Sequence, residues 1–176
     1  MVPLKLSKLI DEKTLQDRVK QLGAQITKDF KGEDVVAICI LKGSYMFYSD
    51  LIREIDANVI CEFFGVSSYH GDTQSSGEVK VTLDLTNPLE GKNVLLVEDI
   101  VDSGLTMTYL KTCLKARQPK TLKTVSLLVK PDAMKSDVQL DYFGFEIKNE
   151  FVVGYGLDYQ ELYRNLPYIA KADNLN

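Results

Sequence analysis

The stretch VLLVEDIVDSGLT, residues 94–106, carries the strongest structural signal in this sequence. It opens with four apolar residues, which is typical of a strand covered on both faces of a parallel sheet. Two adjacent acids follow this run, and a third acid precedes a Ser-Gly-Leu-Thr segment. We expect a helix over 106–117, directly after that segment. The stretch therefore predicts a buried strand, an acidic turn and the beginning of a helix.

Further strands and helices extend in both directions from this stretch. Apolar residues recur at helical spacing from Leu15 to Phe30, with Asp11 as a candidate cap and Gly32 as a stop. The predicted strands are 35–41, 59–66, 79–85, 93–97 and 122–129, a further helix is 45–55, and two short apolar segments are 142–147 and 151–155. This alternation predicts an α/β fold with a mostly parallel, twisted sheet flanked by helices.

The composition describes an ordinary globular chain with a small acidic excess. Its 176 residues suit a single domain over 1–176, and a hydrophobic share of 45% is enough for a core. The net charge of −4 argues against a general affinity for nucleic acid, because phosphate backbones select basic surfaces. The sequence has no CxxC pair, no apolar run of membrane length and no signal-peptide pattern. We therefore expect a cytoplasmic protein without nucleic-acid or membrane partners.

The chemistry of the turn combines an anion site with acceptors for hydroxyl groups and cations. Ligands of parallel sheets bind beyond the carboxyl ends of strands, which directs attention to 41–44 and 98–106. The helix N-terminus attracts an anion, Gly104 allows close backbone approach, and Ser103 and Thr106 add hydroxyl donors. The acids suit ribose hydroxyls and divalent cations instead. A phosphorylated sugar with magnesium would use both halves, whereas simple helix capping is the alternative.

At this level of detail the sequence resembles a known family. VLLVEDIVDSGLT resembles the signature with which type I phosphoribosyltransferases bind phosphoribosyl pyrophosphate. The rest of the sequence is similar to the hypoxanthine-guanine branch of that family. The matching segments occur in the order expected for that branch, and the resemblance covers nearly the whole chain. The supporting segments are LKGSYMF at 41–47, SSYHGDTQSSGEVKV at 67–81, SLLVKP at 126–131 and DYFGFEIKNEFVVGYGLDYQELYRNLPYI at 141–169. The resemblance implies the type I fold, with a small hood formed by N- and C-terminal segments.

The resemblance assigns roles within the turn. Glu98 and Asp99 would meet the ribose hydroxyls, and Asp102 would be the general base for the purine N7 proton. The residues that would hold the 5′-phosphate are Asp102, Ser103, Gly104, Leu105 and Thr106. Many relatives carry a polar or basic residue where this chain has Leu105, so here only its backbone N–H can contribute.

The resemblance also implies a purine subsite and a metal. Lys130 would donate to the purine O6, although a strand-end lysine needs no such role. Phe151 would stack on the base, although a lone Phe is more often a core residue, and Val152 would present backbone groups. Asp158 is assigned to the purine subsite and to Mg²⁺, which it would reach through water. The expected metal-binding set is Glu98, Asp99 and Asp158.

Two further segments match the pyrophosphate loop and the lid of the family. Lys42 and Gly43 correspond to a loop that holds pyrophosphate by its backbone, often through a non-proline cis peptide. Arg164 resembles a second pyrophosphate contact. Ser68 and Tyr69 fall in the segment that corresponds to a mobile lid, whose closure excludes water.

The resulting hypothesis is an enzyme of purine salvage. It would transfer the 5-phosphoribosyl group from phosphoribosyl pyrophosphate to N9 of hypoxanthine, guanine or both, giving IMP or GMP and pyrophosphate. A homodimer or homotetramer is implied by the resemblance alone. Two alternatives remain open from the residues: a xanthine-preferring enzyme, and a nucleotide-sensing regulator on the same fold that binds RNA or DNA.

Overall fold

The computed structural model of this chain describes residues 4–68 and 79–175. The strands are β1 (Leu6–Ile10), β2 (Val35–Leu41), β3 (Val59–Ser68), β4 (Val79–Leu83), β5 (Asn93–Val101), β6 (Thr121–Val129), β7 (Tyr142–Glu146), β8 (Val152–Val153) and β9 (Ile169–Ala172). The α-helices are α1 (Glu12–Asp29), α2 (Tyr45–Arg53) and α3 (Leu105–Lys115). A short 3₁₀ turn at Pro131–Ala133 follows β6.

The larger sheet has the strand order β4-β3-β2-β5-β6-β7. Its strands are parallel except β4, which pairs antiparallel with β3 at one edge. The helices α1 and α2 pack on one face, and α3 packs on the other. Both faces of β2 and β5 are therefore buried, which explains why their sequences are continuously apolar. The predicted α/β class with a mostly parallel sheet is confirmed.

The smaller sheet joins the two ends of the chain in the order β1-β9-β8. Leu6 of β1 lies opposite Ala172 of β9, and Val152 of β8 lies opposite Lys171 on the other side of β9. This sheet is the hood that the family resemblance implies, because it combines an N-terminal strand with two C-terminal strands. It carries the segment from 151 onwards, to which the resemblance assigns the purine-binding residues other than Lys130.

The N-cap predicted for the first helix is present in the structure. Asp11 is the N-cap of α1, and its carboxylate accepts the N–H of Thr14 at 2.8 Å.

The predicted segment 151–155 forms a strand only at Val152–Val153, because its next residues turn back: Tyr155 and its glycine neighbours have positive φ angles.

The predicted end of the central strand is wrong. β5 does not stop at residue 97 but continues to Val101, because its ladder with β6 continues as far as the pair Val101–Val129. Glu98 and Asp99 therefore lie inside the strand rather than in a turn after it. The extension matters for the site, since it places Glu98 in the ladder with β6, where its side chain is buried, and puts the partly exposed Asp99 next to it in the cavity wall.

No helix among the described residues is both long and apolar enough to cross a bilayer. The assignment of residues 1–176 to one domain stays a prediction.

We expect the central strand to carry much of the stability. Leu95 of β5 is fully buried, so Leu95→Ala should lower the free energy of unfolding by about 2–5 kcal/mol in urea denaturation. Leu9 of β1 is 41% exposed, and Leu9→Ala serves as the matched control, with an expected change of about 0.5 kcal/mol. Equal losses in the two variants would contradict the assignment of β5 to the core.

Candidate active site

The carboxyl ends of β2 and β5 form two adjoining cavities. The larger, about 270 Å³, is lined by Glu98, Asp99, Ile100, Val101, Asp102, Ser103, Gly104, Thr106 and Met107. The smaller, about 180 Å³, is lined by Ile40, Leu41, Gly43, Val66, Glu98, Asp99 and Thr106. Because the two parallel strands end at the same sheet edge, the loops predicted at 41–44 and 98–106 lie next to each other here.

Two adjacent carboxyl groups form the wall that the cavities share. Burial raises the pKa of Glu98 well above its usual range, and the neighbouring charge of Asp99 raises it further. Burial also raises the pKa of Asp99 to about 6, although hydrogen bonding to the Ile100 N–H and the charge of Arg164 oppose the shift. The pair therefore binds protons more tightly than exposed carboxylates do, and a nearby cation or hydroxyl donor would oppose this shift of the pKa values.

The pyrophosphate loop of the prediction packs directly against this pair. A Cβ atom on Gly43 would lie 1.7 Å from Oδ2 of Asp99, so a side chain at this position would displace the Asp99 carboxylate. On the hood side, a Cβ atom on Gly156 would lie 2.1 Å from the carbonyl oxygen of Gly43. The Leu41–Lys42 peptide bond is cis, as it often is in the family. The loop is thus fixed between β5 and the hood.

The turn at 103–106 presents the N-terminus of α3 to the larger cavity. Gly104 is the N-cap of α3 with φ +78°, and glycine brings no side chain to the first-turn N–H groups. A Cβ atom there would lie 2.3 Å from Oγ of Ser136, and the Lys135 N–H donates to the Ser103 carbonyl at 3.0 Å. Leu105 is 55% exposed. The turn is therefore fixed by contacts with Lys135 and Ser136 on one side and open to the cavity on the other, as an anion site requires.

A cation and a carboxylate meet beside this turn. Asp102 follows β5 and Lys130 follows β6, and these parallel neighbours end side by side. Nζ of Lys130 lies 2.9 Å from Oδ2 of Asp102. The Lys130 side chain is 9% exposed and that of Asp102 is 51% exposed. The site thus offers a buried donor next to an accessible acceptor.

The hood contributes an aromatic face and backbone groups. The ring of Phe151 is 40% exposed and meets Tyr159 edge-on, with 5.8 Å between the ring centroids. Val152 is buried in β8. The sequence predictions do not include Tyr159. The only feature that could have pointed to it is that it is an aromatic residue in the same segment as Phe151.

A network of ion pairs lies on the hood side of the site. Asp158 accepts the N–H of Glu161 at 2.8 Å and pairs with Arg164 at 2.8 Å. Arg164 also donates to the Gly156 carbonyl at 2.8 Å, and Lys42 pairs with Glu161 at 3.0 Å. The sequence predictions include Lys42, Asp158 and Arg164 but not Glu161, because an exposed glutamate in an irregular segment gives no distinctive signal.

The expected metal residues do not form a complete cluster. Across residues 4–68 and 79–175, no three His, Cys, Asp or Glu side chains are grouped closely enough to hold a metal ion by themselves. Asp158 is close enough to Asp99 to raise its pKa. Carboxylates on two sides of a cleft suit a cation whose remaining ligands are water and substrate oxygens.

The lid assignment falls largely outside the described residues. Ser68 ends β3 opposite Val79 of the edge strand β4, and Tyr69 lies in the part of the chain that the structure does not describe. The roles of both residues stay predictions.

Comparison with known proteins identifies the family of this chain. A family model described as "Phosphoribosyl transferase domain" matches residues 7–160. Hypoxanthine-guanine phosphoribosyltransferases of Staphylococcus aureus and Bacillus subtilis are 50% and 49% identical over 162 residues, covering 92% of this chain and 90% of each relative. A crystal structure of the Bacillus anthracis hypoxanthine-guanine phosphoribosyltransferase with HEPES in its active site has a TM-score of 0.90 at 48% identity, covering 96% of this chain and 99% of that one.

These similarities extend over the hood as well as the central sheet. A hypoxanthine phosphoribosyltransferase structure from Staphylococcus aureus gives a TM-score of 0.91 at 49% identity, covering 96% of this chain and 91% of that one. The chain belongs to the hypoxanthine-guanine phosphoribosyltransferases of the type I phosphoribosyltransferase family.

Proposed function

We propose that this chain transfers the 5-phosphoribosyl group from phosphoribosyl pyrophosphate to N9 of hypoxanthine or guanine. One observation carries the choice of base: the Lys130 ammonium lies 2.9 Å from the Asp102 carboxylate, beside the larger cavity. On a 6-oxopurine with a proton on N7, the O6 acceptor and the N7–H donor are neighbours on one edge. The pair offers the complementary donor and acceptor, whereas adenine would bring an amino group against the ammonium.

The rest of the cavity suits the phosphorylated ribose. The first-turn N–H groups of α3 and the hydroxyls of Ser103 and Thr106 are donors for a 5′-phosphate. The carboxyl groups of Glu98 and Asp99 are acceptors for the ribose hydroxyls. A larger cavity of about 270 Å³ that combines donors at one end with acids at the other supports a sugar phosphate rather than a phosphate alone.

Mg²⁺ is the cation that we propose for this site. Glu98, Asp99 and Asp158 provide hard oxygen ligands. Mg²⁺ in proteins is usually bound by one or two such carboxylates together with phosphate oxygens and water. When bound, the cation neutralises charge on the pyrophosphate group. The raised pKa of Asp99 is consistent with this assignment, because an adjacent cation would compensate the buried charge.

The protein groups then divide the reaction between them. Backbone N–H groups of the Lys42–Gly43 loop and the guanidinium of Arg164 hold the leaving pyrophosphate as the C1′–O bond breaks. Phe151 stacks on the purine and Val152 presents backbone groups to its edge. As N9 bonds to C1′, Asp102 accepts the proton of N7, so the neutral product base is formed.

Two further parts of the proposal concern the surroundings of the site. The segment with Ser68 and Tyr69 is proposed as the lid that excludes water, since water would compete for C1′. We also propose a cytoplasmic homodimer or homotetramer. Phe63, on β3, is 43% exposed and packs on Tyr48 with 5.7 Å between ring centroids, and its exposed ring is a candidate contact for self-association.

Asp102→Asn tests the general base. Asn keeps the size of the side chain but cannot accept the proton, so we expect turnover of IMP formation to fall about 10²–10⁴-fold. Asp132, an exposed acid in the 3₁₀ turn after β6, provides the matched control, and Asp132→Asn should keep its turnover. Steady-state kinetics with phosphoribosyl pyrophosphate and hypoxanthine, guanine or xanthine would measure both. Wild-type turnover in Asp102→Asn would remove it from this role.

Lys130→Gln tests the selection of the 6-oxo group. Loss of a charged hydrogen bond should lower kcat/KM for hypoxanthine by about 10–100-fold and should reduce the preference for hypoxanthine over adenine. Lys123 lies on the same strand and pairs with Asp29, so Lys123→Gln is the matched control. An unchanged hypoxanthine-to-adenine ratio in Lys130→Gln would contradict the assignment of this residue.

The pH dependence of stability tests the buried acids. Because the pKa of Asp99 rises from 3.8 to about 6 on folding, the folded state binds the proton more tightly. The contribution of Asp99 to the free energy of unfolding should therefore fall as pH rises from about 4 to about 6. With EDTA present, Asp99→Asn should raise Tm by about 4–8 °C at pH 8 and have little effect at pH 4.

A carboxylate with the opposite shift provides the control for that experiment. The Leu85 N–H and Arg117 lower the pKa of Asp84, so Asp84→Asn should lower Tm at pH 8. A gain of stability in Asp99→Asn that is the same at both pH values would show that charge burial is not its cause.

A further inference from the structure

Glu161 lies between two cations, one in the pyrophosphate loop and one in the hood segment. Its Oε2 atom is 3.0 Å from Nζ of Lys42 and 3.4 Å from Nη2 of Arg164. Lys42 directly precedes Gly43, and Arg164 holds the carbonyl of Gly156, the residue that packs on Gly43. The glutamate therefore stands at the edge of the subsite assigned above to pyrophosphate.

The turn that carries Glu161 has an unusual backbone. Gln160, Glu161 and Tyr163 have φ angles of 52°, 65° and 74°, in the left-handed region that residues with a Cβ atom rarely adopt. The turn is closed by the Glu161 N–H, which donates to Asp158 at 2.8 Å. Such conformations persist only where the surroundings enforce them. The carboxylate is thus presented to the two cations by a defined turn rather than by a free side chain.

The charges in this network balance without a ligand. Lys42 and Arg164 supply two positive charges, and Asp158 and Glu161 supply two negative charges. Asp158 pairs with Arg164 at the shorter distance and its side chain is 29% exposed, whereas that of Glu161 is 64% exposed. A phosphate that approaches the two cations competes with a carboxylate for the same donors. Glu161 is the partner that can yield, because it is the more exposed and the more weakly paired with Arg164.

We propose that Glu161 is an internal anion that occupies Lys42 and Arg164 in the empty site and is displaced by the pyrophosphate group. The inference rests on the proposed function, since it requires pyrophosphate to bind beside Lys42 and Gly43. Displacement costs the two ion pairs, so Glu161 weakens the binding of pyrophosphate and of phosphoribosyl pyrophosphate. It does not touch the purine side of the site, where Lys130 and Asp102 lie.

Glu161→Gln tests this inference through a gain of affinity. The substitution keeps the backbone N–H that donates to Asp158 but removes the charge held by the two cations. Exposed ion pairs are individually weak, so we expect inorganic pyrophosphate, titrated calorimetrically with Mg²⁺, to bind about two- to ten-fold more tightly. The KM for phosphoribosyl pyrophosphate should fall in the same direction, and the KM for hypoxanthine should not change. Higher salt should reduce the difference.

Matched variants separate this effect from a general loss of charge or structure. Glu33 pairs with Lys120 at the opposite end of the sheet, and Glu33→Gln should leave pyrophosphate affinity unchanged. In a Lys42→Gln background, the gain from Glu161→Gln should shrink, because one of the released cations is already absent. Glu161→Ala should reproduce the gain seen with Gln.

The outcomes also separate this inference from the proposed function. Unchanged or weaker pyrophosphate binding in Glu161→Gln and Glu161→Ala, with tight binding by the wild type, would overturn the role of Glu161 alone. A wild-type protein that does not bind pyrophosphate with Mg²⁺ would instead contradict the proposed function.

Discussion

The burial of two adjacent carboxyl groups at the end of β5 is the constraint around which this structure is organised. Glu98 is paired with β6 and Asp99 follows it in the same strand, so burial makes the charge of both groups costly without a partner. Asp99 fits because Gly43 has no Cβ atom, and Gly43 in turn fits because Gly156 has none. A chain of close contacts thus connects the acids, the pyrophosphate loop and the hood.

The parallel sheet explains why the chemistry of two loops converges. β5 and β6 run side by side to their ends, which brings Asp102 and Lys130 within 2.9 Å although 28 residues separate them. The sheet is rigid there, because the apolar clusters on both of its faces hold the strands in register. A fixed donor beside a fixed acceptor can distinguish one purine edge from another, which a flexible pair cannot do as well.

The hood supplies groups of a different kind. Tyr155, next to Gly156, donates to Asp50 of α2, so the hood is tied to the helix that follows the pyrophosphate loop. Around this anchor, Lys42, Glu161 and Arg164 form ion pairs that are partly exposed. The site therefore combines a rigid wall for the ribose and the purine with a set of charges that can exchange partners.

Local sequence patterns determined most of the fold, and the family resemblance supplied most of the candidate residues. The apolar runs of β2 and β5, the cap at Asp11 and the helical spacing of α1 depend on neighbours within a few residues, which a sequence displays directly. The same holds for the turn around Gly104, whose composition matches a known signature. The hydrogen-bonded extent of β5 was not readable in this way, because the partner strand rather than local apolarity decides where a ladder ends.

Only the tertiary structure decided which of these residues act together. The pairing of Asp102 with Lys130, the contact of Asp99 with Gly43 and the position of Glu161 beside Lys42 all join distant parts of the chain. Glu161 shows the reason most clearly, since 119 residues separate it from Lys42 and nothing in its own segment marks it. Periodicity and propensity describe how a segment is built, whereas charge balance in a site depends on which segments the fold brings together.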